Sequence, residues 1–250
     1  MPIRVERWEH VSWVIIDRED KGNSLDYEHA RQLADIIRRE CEEPSTAVVA
    51  LRGAGSRFFS TGVDLESVAN VRGAEDAMRL MGEGLGGVCK AITGCSKPFI
   101  AAVNGHAVGI GFEMVVASDL AFAVRGVKMG SPAVKWGMVP PASTTIGQYI
   151  MGQKSAAYIV LTGELLPSDE LYRMGLLNGL VDSVEELVSM VEGVAAKIAG
   201  NSRWAVREAV RVMRASRMHH LTEIGLRSLI LSTARPEAAE RARGFLERKR

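Results

Sequence analysis

Two segments of the 250-residue sequence have residue types and spacing that could do chemistry: FFSTGVDL at 58–65 and KPFIAAVNGHAVGIGFEM at 97–114. Each places glycine where a strand pattern ends, so the backbone can turn sharply there. In the second, Gly105, Gly109 and Gly111 lead into a helical pattern. The first amides of a helix have no intrahelical partner, so the N–H groups around Ile110 point outward. With the positive end of the helix dipole they suit an anion, above all an oxyanion that forms during a reaction. Glu113 falls one turn further on, near enough to that anion to act on water or on a carbon-bound proton. The same position suits an acidic residue simply favoured by the dipole, and the pattern by itself leaves both roles open.

Other chemistries lack their parts. Gly82, Gly84 and Gly87 satisfy GxGxxG, but a helical pattern precedes them instead of a strand, and no acidic residue follows at the ribose-binding spacing. GQYIMGQKS at 147–155 misses a phosphate-binding loop because Gln153 is inserted before Lys154. His10, His29, His106, His219 and His220 have no metal-ligand spacing, and no GxSxG elbow occurs. His106 lies in a turn where it could touch a ligand, although a structural role is the more ordinary one.

The elements that must position these residues alternate in type. Residues 11–17 read as a strand and 24–40 as a helix, with apolar positions at Leu25, Leu33, Ile36 and Ile37 and Asp26 as its cap. A buried strand at 47–52, a glycine-rich turn at 53–56, a short segment at 58–61 and a helical stretch at 76–93 follow. Strands at 99–103 and 120–124 flank a helix at 109–118, and helices and turns alternate from 143 onward. The class is α/β. From 185 to 250 the pattern is almost wholly helical, with Pro236 placed to start a helix, and it reads as an appendage on a core spanning 1–184.

Composition narrows the setting. With 47% hydrophobic and 24% charged residues, the chain has the balance of an ordinary globular protein that can bury a large core. Its 31 basic residues against 30 acidic ones leave a net charge of +1, which gives no global field for nucleic acid or an anionic bilayer. Asn104, His106 and Glu113 interrupt the most apolar stretch, and Arg4, Glu6, Arg7 and Glu9 spoil the N-terminus as a signal peptide. Cys41, Cys89 and Cys95 are odd in number and lack metal-ligand spacing, the usage of a reducing compartment. A cytoplasmic protein with free thiols is expected.

A resemblance then becomes specific. KPFIAAVNGHAVGIGFEM followed by ASDLAFA resembles the KPxIAAVNGxAxGGGxEL…CDxxxA signature of the crotonase (enoyl-CoA hydratase/isomerase) superfamily. FFSTGVDL resembles its FxAGADL, DREDKGNSLD its NRPxxxNAL, LTGELLPSDELYRMGLLNGLVDSV its LTGxxxxAxEAxxxGLVxxVV, and GFLERK its AFLEKRKP. These ordered blocks cover nearly the whole chain. They imply a crotonase-type spiral of repeated ββα units, a C-terminal helical region at 185–250 that trimerises, often as a dimer of trimers, and an acyl-CoA or enoyl-CoA substrate. No metal and no separate cofactor are implied, coenzyme A being part of the substrate.

Carried residue by residue, the resemblance puts the two oxyanion donors at the main-chain amides of Val63 and Ile110 and makes Glu113 one of two catalytic glutamates. The family usually has glycine at Ile110; the backbone donor survives the change, and the side chain narrows the pocket. Lys21, Asn23, Ser24 and Thr61 fall where the family contacts the adenosine and phosphate parts of CoA, largely through backbone. Asp64 matches a loop-holding aspartate, and Phe245 matches an aromatic near the C-terminus. Glu66 and Arg248 replace lysines, the second of which reaches across subunits.

The second glutamate's position holds Ala133, which transfers no proton, so isomerisation is a poor match too. Ser131, Lys135, Ser143 and Thr144 are the polar residues nearby. The implied activity is enoyl-CoA hydratase-like, with Glu113 as base for water. Decarboxylation or thioester hydrolysis is the alternative, because members with those reactions keep the same oxyanion hole. A non-catalytic acyl-CoA-binding or RNA-binding relative is the third, the RNA contact falling on Arg203, Arg207, Arg211 and Arg214, whose ordinary reading is a solvated face.

Overall fold

A computed structural model describes residues 2–216 and 219–248, with the side chains of 216–222 outside that description. Among these residues the strands are β1 (Ile3–Trp8), β2 (Val11–Ile16), β3 (Val48–Gly53), β4 (Phe58–Ser60), β5 (Phe99–Val103), β6 (His106–Val108), β7 (Leu120–Val124), β8 (Lys128–Gly130), β9 (Leu166–Pro167) and β10 (Gly179–Val181). The helices of the first half are α1 (Tyr27–Glu42), α2 (Leu65–Ala69), α3 (Ala74–Ala77), α4 (Gly86–Thr93) and α5 (Ile110–Ala117). After them come α6 (Pro141–Thr145), α7 (Gly147–Met151), α8 (Gln153–Thr162) and α9 (Ser168–Arg173). The last four are α10 (Val184–Ala199), α11 (Arg203–Ser216), α12 (His219–Thr233) and α13 (Pro236–Glu247).

The main sheet has the order β1-β2-β3-β5-β7-β10, parallel except where β1 pairs with β2. Strands β2, β3 and β5 are buried almost throughout because helices cover both faces, which is why they read as apolar runs without alternation. On one face pack Leu33 and Ile37 of α1; on the other, Leu187, Val191 and Ala195 of α10. A second, smaller sheet has the order β4-β6-β8-β9. Three strands of the main sheet are each followed by a short one in the second: β3 by β4, β5 by β6, β7 by β8. A helix or helical turn comes next, so the chain climbs as repeated ββα units, as the resemblance implies.

Buried amides tie these corners together. Asn104 accepts from Gly53 N at 2.8 Å and donates to Gly55 O at 2.8 Å, which fixes one unit's corner against the next. Asp26 caps α1, accepting from His29 N at 2.9 Å, as its position predicts.

Several expectations need correction. β1 carries no clear strand pattern in sequence because Arg4, Glu6 and Arg7 lie on an edge strand whose outer part meets water. Residues 76–93 are helical, as the pattern predicts, but between α3 and α4 the turns widen over 78–85, where Met81 and Leu85 line the cavity described below. The last third is helical but no appendage, since Leu187, Leu226, Leu229, Ala238 and Ala242 are all buried in the core. Among the described residues, no helix is long and apolar enough to cross a membrane.

The expectation of free thiols is overturned for two cysteines. Cys41 at the end of α1 and Cys95 before β5 stand with Cα atoms 5.3 Å apart and are joined as a disulfide, leaving Cys89 free and buried. A sequence separation of 54 residues carries no signal of that meeting; only the packing of α1 against α4 creates it. Breaking it by Cys41→Ser is expected to lower stability by about 2–4 kcal/mol through the freed unfolded chain. Thermal unfolding with and without reductant checks this, and an unchanged melting temperature in both would contradict it.

Candidate functional site

A cavity of about 190 Å³ opens where the turns that follow β4, β6 and β8 converge. Thr61 and Val63 enter from the first turn, Gly109 and Ile110 from the second, Ala133 and Trp136 from the third. Met81, Leu85 and Leu229 close it with apolar surface, and Glu113 is the only charged side chain among the described residues that line it.

Val63 and Ile110, the two residues expected to supply backbone donors, both line this space. Leu25 N donates to Gly62 O at 2.8 Å and Asp64 N to Leu25 O at 2.9 Å, which is the pattern of a parallel bridge between Leu25 and Val63. Such a ladder uses the groups flanking Val63 and turns Val63's own N–H to the opposite side. Ile110 is the first residue of α5, so its N–H lies ahead of any intrahelical acceptor. Gly109 adopts φ 58° and ψ −123°, a turn that only glycine takes without strain, and its N–H is taken by Gly130 O at 3.0 Å.

The two turns touch through Gly62, whose φ is 94°. A Cβ there would stand 2.7 Å from Val108 O and 3.0 Å from Ile110 N. The donors are therefore neighbours only because this residue has no side chain. Two amides aimed at one oxyanion can each contribute about 3 kcal/mol to the stability of a transition state.

Glu113 is 1% exposed and rises from α5 into the N-terminus of α6. Pro140 and Pro141 begin that helix, and a proline side chain cannot cap it. The carboxylate takes the cap's place: Oε2 accepts from Ala142 N at 2.6 Å and Ser143 N at 2.9 Å, and Oε1 accepts from Ser143 Oγ. Ser131 also donates to it. Burial pushes the Glu113 carboxyl above the ordinary carboxylate range, against the pull of these donors. Behind it, burial and the charge of Glu113 push the free Cys89 thiol up to about 12, so that sulfur stays protonated.

The raised value sets a pH expectation. A base must be ionised to accept a proton, so kcat/KM should climb with pH through a value above the usual carboxylate range. Ser143→Ala removes a donor that favours the charged form and should move this acidic limb to still higher pH. A pH–rate profile of both proteins checks it; an unmoved limb would contradict the assignment. The sign for stability follows as well: the fold holds the Glu113 proton more tightly than the unfolded chain does, so this group's contribution falls as pH rises from its unfolded toward its folded value.

Of the residues expected near CoA or at the C-terminus, only Thr61 joins the cavity wall. Ala133 lines the cavity and brings no polar group, as expected. Asn23 is wholly buried at φ 55°; its side chain accepts from Arg18 N and donates to Ala54 O and Phe58 O, and so holds a corner. Ser24 is buried and gives its carbonyl to Arg18. Lys21 is exposed in a short turn before α1. Asp64 caps α2, accepting from Glu66 N at 2.9 Å. Phe245 meets Trp136 edge to face at 5.2 Å and so stands one layer behind the cavity wall. Arg248 is exposed on a helix that packs over α2 of its own chain.

Of the four polar residues near the missing glutamate, Ser131 and Ser143 hold Glu113. Thr144 donates to Pro140 O at 2.6 Å, and Lys135 is exposed. His106 is structural: its Nδ1 accepts from Lys128 N at 2.9 Å. The arginine row is no uniform solvated stripe. Arg214 is buried and paired with Asp119, and Arg211 pairs with Glu208.

Against this geometry, the family model described as enoyl-CoA hydratase/isomerase matches residues 6–250. Crotonyl-CoA hydratase of Syntrophomonas wolfei is 29% identical over 206 residues, covering 82% of this chain and 78% of its own. (E)-Benzylidenesuccinyl-CoA hydratase of Thauera aromatica is 32% identical over 208 residues, covering 83% and 80%. The solved structure of Pseudomonas aeruginosa OdaA superposes with a TM-score of 0.89 at 26% identity, covering 98% of both chains.

Proposed function

The chain belongs to the enoyl-CoA hydratase/isomerase family, and from that premise we propose that it adds water to the double bond of a trans-2-enoyl-CoA. Glu113 takes a proton from water as the oxygen attacks the β-carbon. The π electrons move toward the thioester, whose oxygen becomes the enolate anion held by the Val63 and Ile110 amides. Collapse of the enolate needs one proton at the α-carbon. Glu113 now carries one, and returning it closes the balance with a single carboxyl group. The observation that carries this reading is that Glu113, buried beside both donor turns, is the only ionisable side chain lining the cavity among the described residues. The reaction calls for no cofactor beyond the CoA of the substrate.

The cavity wall speaks to the acyl group. A free carboxylate on that group would enter apolar surface beside Glu113 with no cation to pair it, which costs far more than an uncharged chain would. This favours hydration of uncharged enoyl chains over decarboxylation. A panel of short and medium trans-2-enoyl-CoAs should yield 3-hydroxyacyl-CoA; release of CO₂ or of free CoA without hydration would overturn the reading. The proposal includes self-association as a trimer or dimer of trimers, for which the exposed Leu161, Ile224 and Leu231 supply apolar surface.

A further inference from the structure

The opposite end of the main sheet carries a second cavity, of about 210 Å³, where the N-terminal ends of β3 and β5 meet the junction of α10 and α11. Lys97, Arg203, Arg207 and His10 line it, and no acidic side chain among the described residues does. Lys97 is 2% exposed. Its ammonium donates to the carbonyls of Glu40 and Glu43 and to Thr46 Oγ1, so its three protons are spent and only its charge reaches the cavity.

Arg203 and Arg207 lie one turn apart on α11 and enter no ion pair among the described residues, in contrast to Arg211 and Arg214 further along the same helix. Burial first, and then the charge of Arg207, hold Lys97 down at about 8; Arg203 adds to the effect, while Glu43 and Glu40 oppose it. Like charges thus face one space, and among the described residues its lining holds no carboxylate. The start of α11, a 14-residue helix, adds the positive end of its dipole.

We propose that this cavity binds a phosphate group, with the Arg203 and Arg207 guanidiniums as donors and Lys97 as a buried countercharge. Planar guanidiniums one turn apart suit several oxygens of one tetrahedral anion, and a dianion offsets more of the local charge than a single carboxylate does. The site is separate from the acyl cavity, so its occupancy needs no turnover.

Calorimetric titration of the full chain with inorganic phosphate, a small phosphate monoester and malonate at equal ionic strength tests it. Saturable binding of phosphate at least tenfold tighter than malonate is expected, and the R203Q/R207Q double variant should lose at least tenfold in phosphate affinity while its melting temperature and enoyl-CoA turnover hold. Tighter binding of the monoester would identify a phosphorylated metabolite as the source, and equal binding would identify free phosphate. No saturable phosphate binding, malonate bound as well as phosphate, or phosphate affinity unchanged in the double variant would overturn the proposal. Because turnover is scored separately, failure here leaves the hydration reading intact.

Discussion

Replacing Glu113 by glutamine is expected to reduce kcat for enoyl-CoA hydration by about 10²- to 10⁴-fold. Glutamine has the same shape and can still accept from Ala142 N and Ser143 N, and the Ser143 hydroxyl can rotate to accept from the new amide. The helix cap therefore largely survives, and the loss of stability should stay near about 1 kcal/mol. What disappears is the capacity to take and return a proton. KM should move little, because the Val63 and Ile110 amides are untouched. Turnover at wild-type rate in the glutamine variant would sink both the role of Glu113 and the single-carboxyl scheme. A large fall in melting temperature would instead mean that the carboxylate serves α6 more than the substrate.

Gly62→Ala should be nearly as damaging through a different route. The new methyl group would lie 2.7 Å from Val108 O and 3.0 Å from Ile110 N, and the residue would have to keep φ at 94°. Either the turn moves or α5 does, and displacing a donor by an ångström from where the oxyanion forms can cost about 10²-fold in rate. Because that contact strengthens only as charge develops, kcat and kcat/KM should fall together with KM nearly constant. Gly126→Ala is the control: its φ of 72° brings comparable backbone strain, but an added Cβ there meets nothing within 4 Å. Equal losses of activity in the two variants would show that strain, and not donor placement, is responsible.

The site was legible where it depends on glycine and on a run of buried strand, because both leave residue-type signals at fixed spacing. Val63, Ile110 and Glu113 are brought together by short turns close in sequence to those glycines, and the structure puts all three on one cavity. The clamp on Glu113 was not legible as such. Ser143 stands 30 residues away and was one of four polar candidates for another task, the missing acid. A signal for its real task did exist: Pro140 and Pro141 open a helix that cannot cap itself, so some acceptor had to arrive from elsewhere. At Asn23 the side chain's task, holding a corner through Arg18, Ala54 and Phe58, depends on partners up to 35 residues away and so left no signal in the sequence. Arg214 misled because helical spacing says which residues share a stripe and nothing about what that stripe packs against; here it is Asp119 and the carbonyls of Cys95 and Lys97. Strands β6 and β8, three residues each, are too short for alternation to register.

The capping of α6 by Glu113 also turns two main-chain amides into reporters. The Ala142 and Ser143 N–H protons sit directly on the carboxylate oxygens, so their chemical shifts must follow its ionisation, while neighbouring amides of the same helix bond to backbone carbonyls and do not. A titration of the resting protein watched at these two resonances would read the protonation equilibrium of the proposed base with no substrate and no mutation. Their solvent-exchange rates would show in the same spectra whether the helix start frays when the proton is taken up.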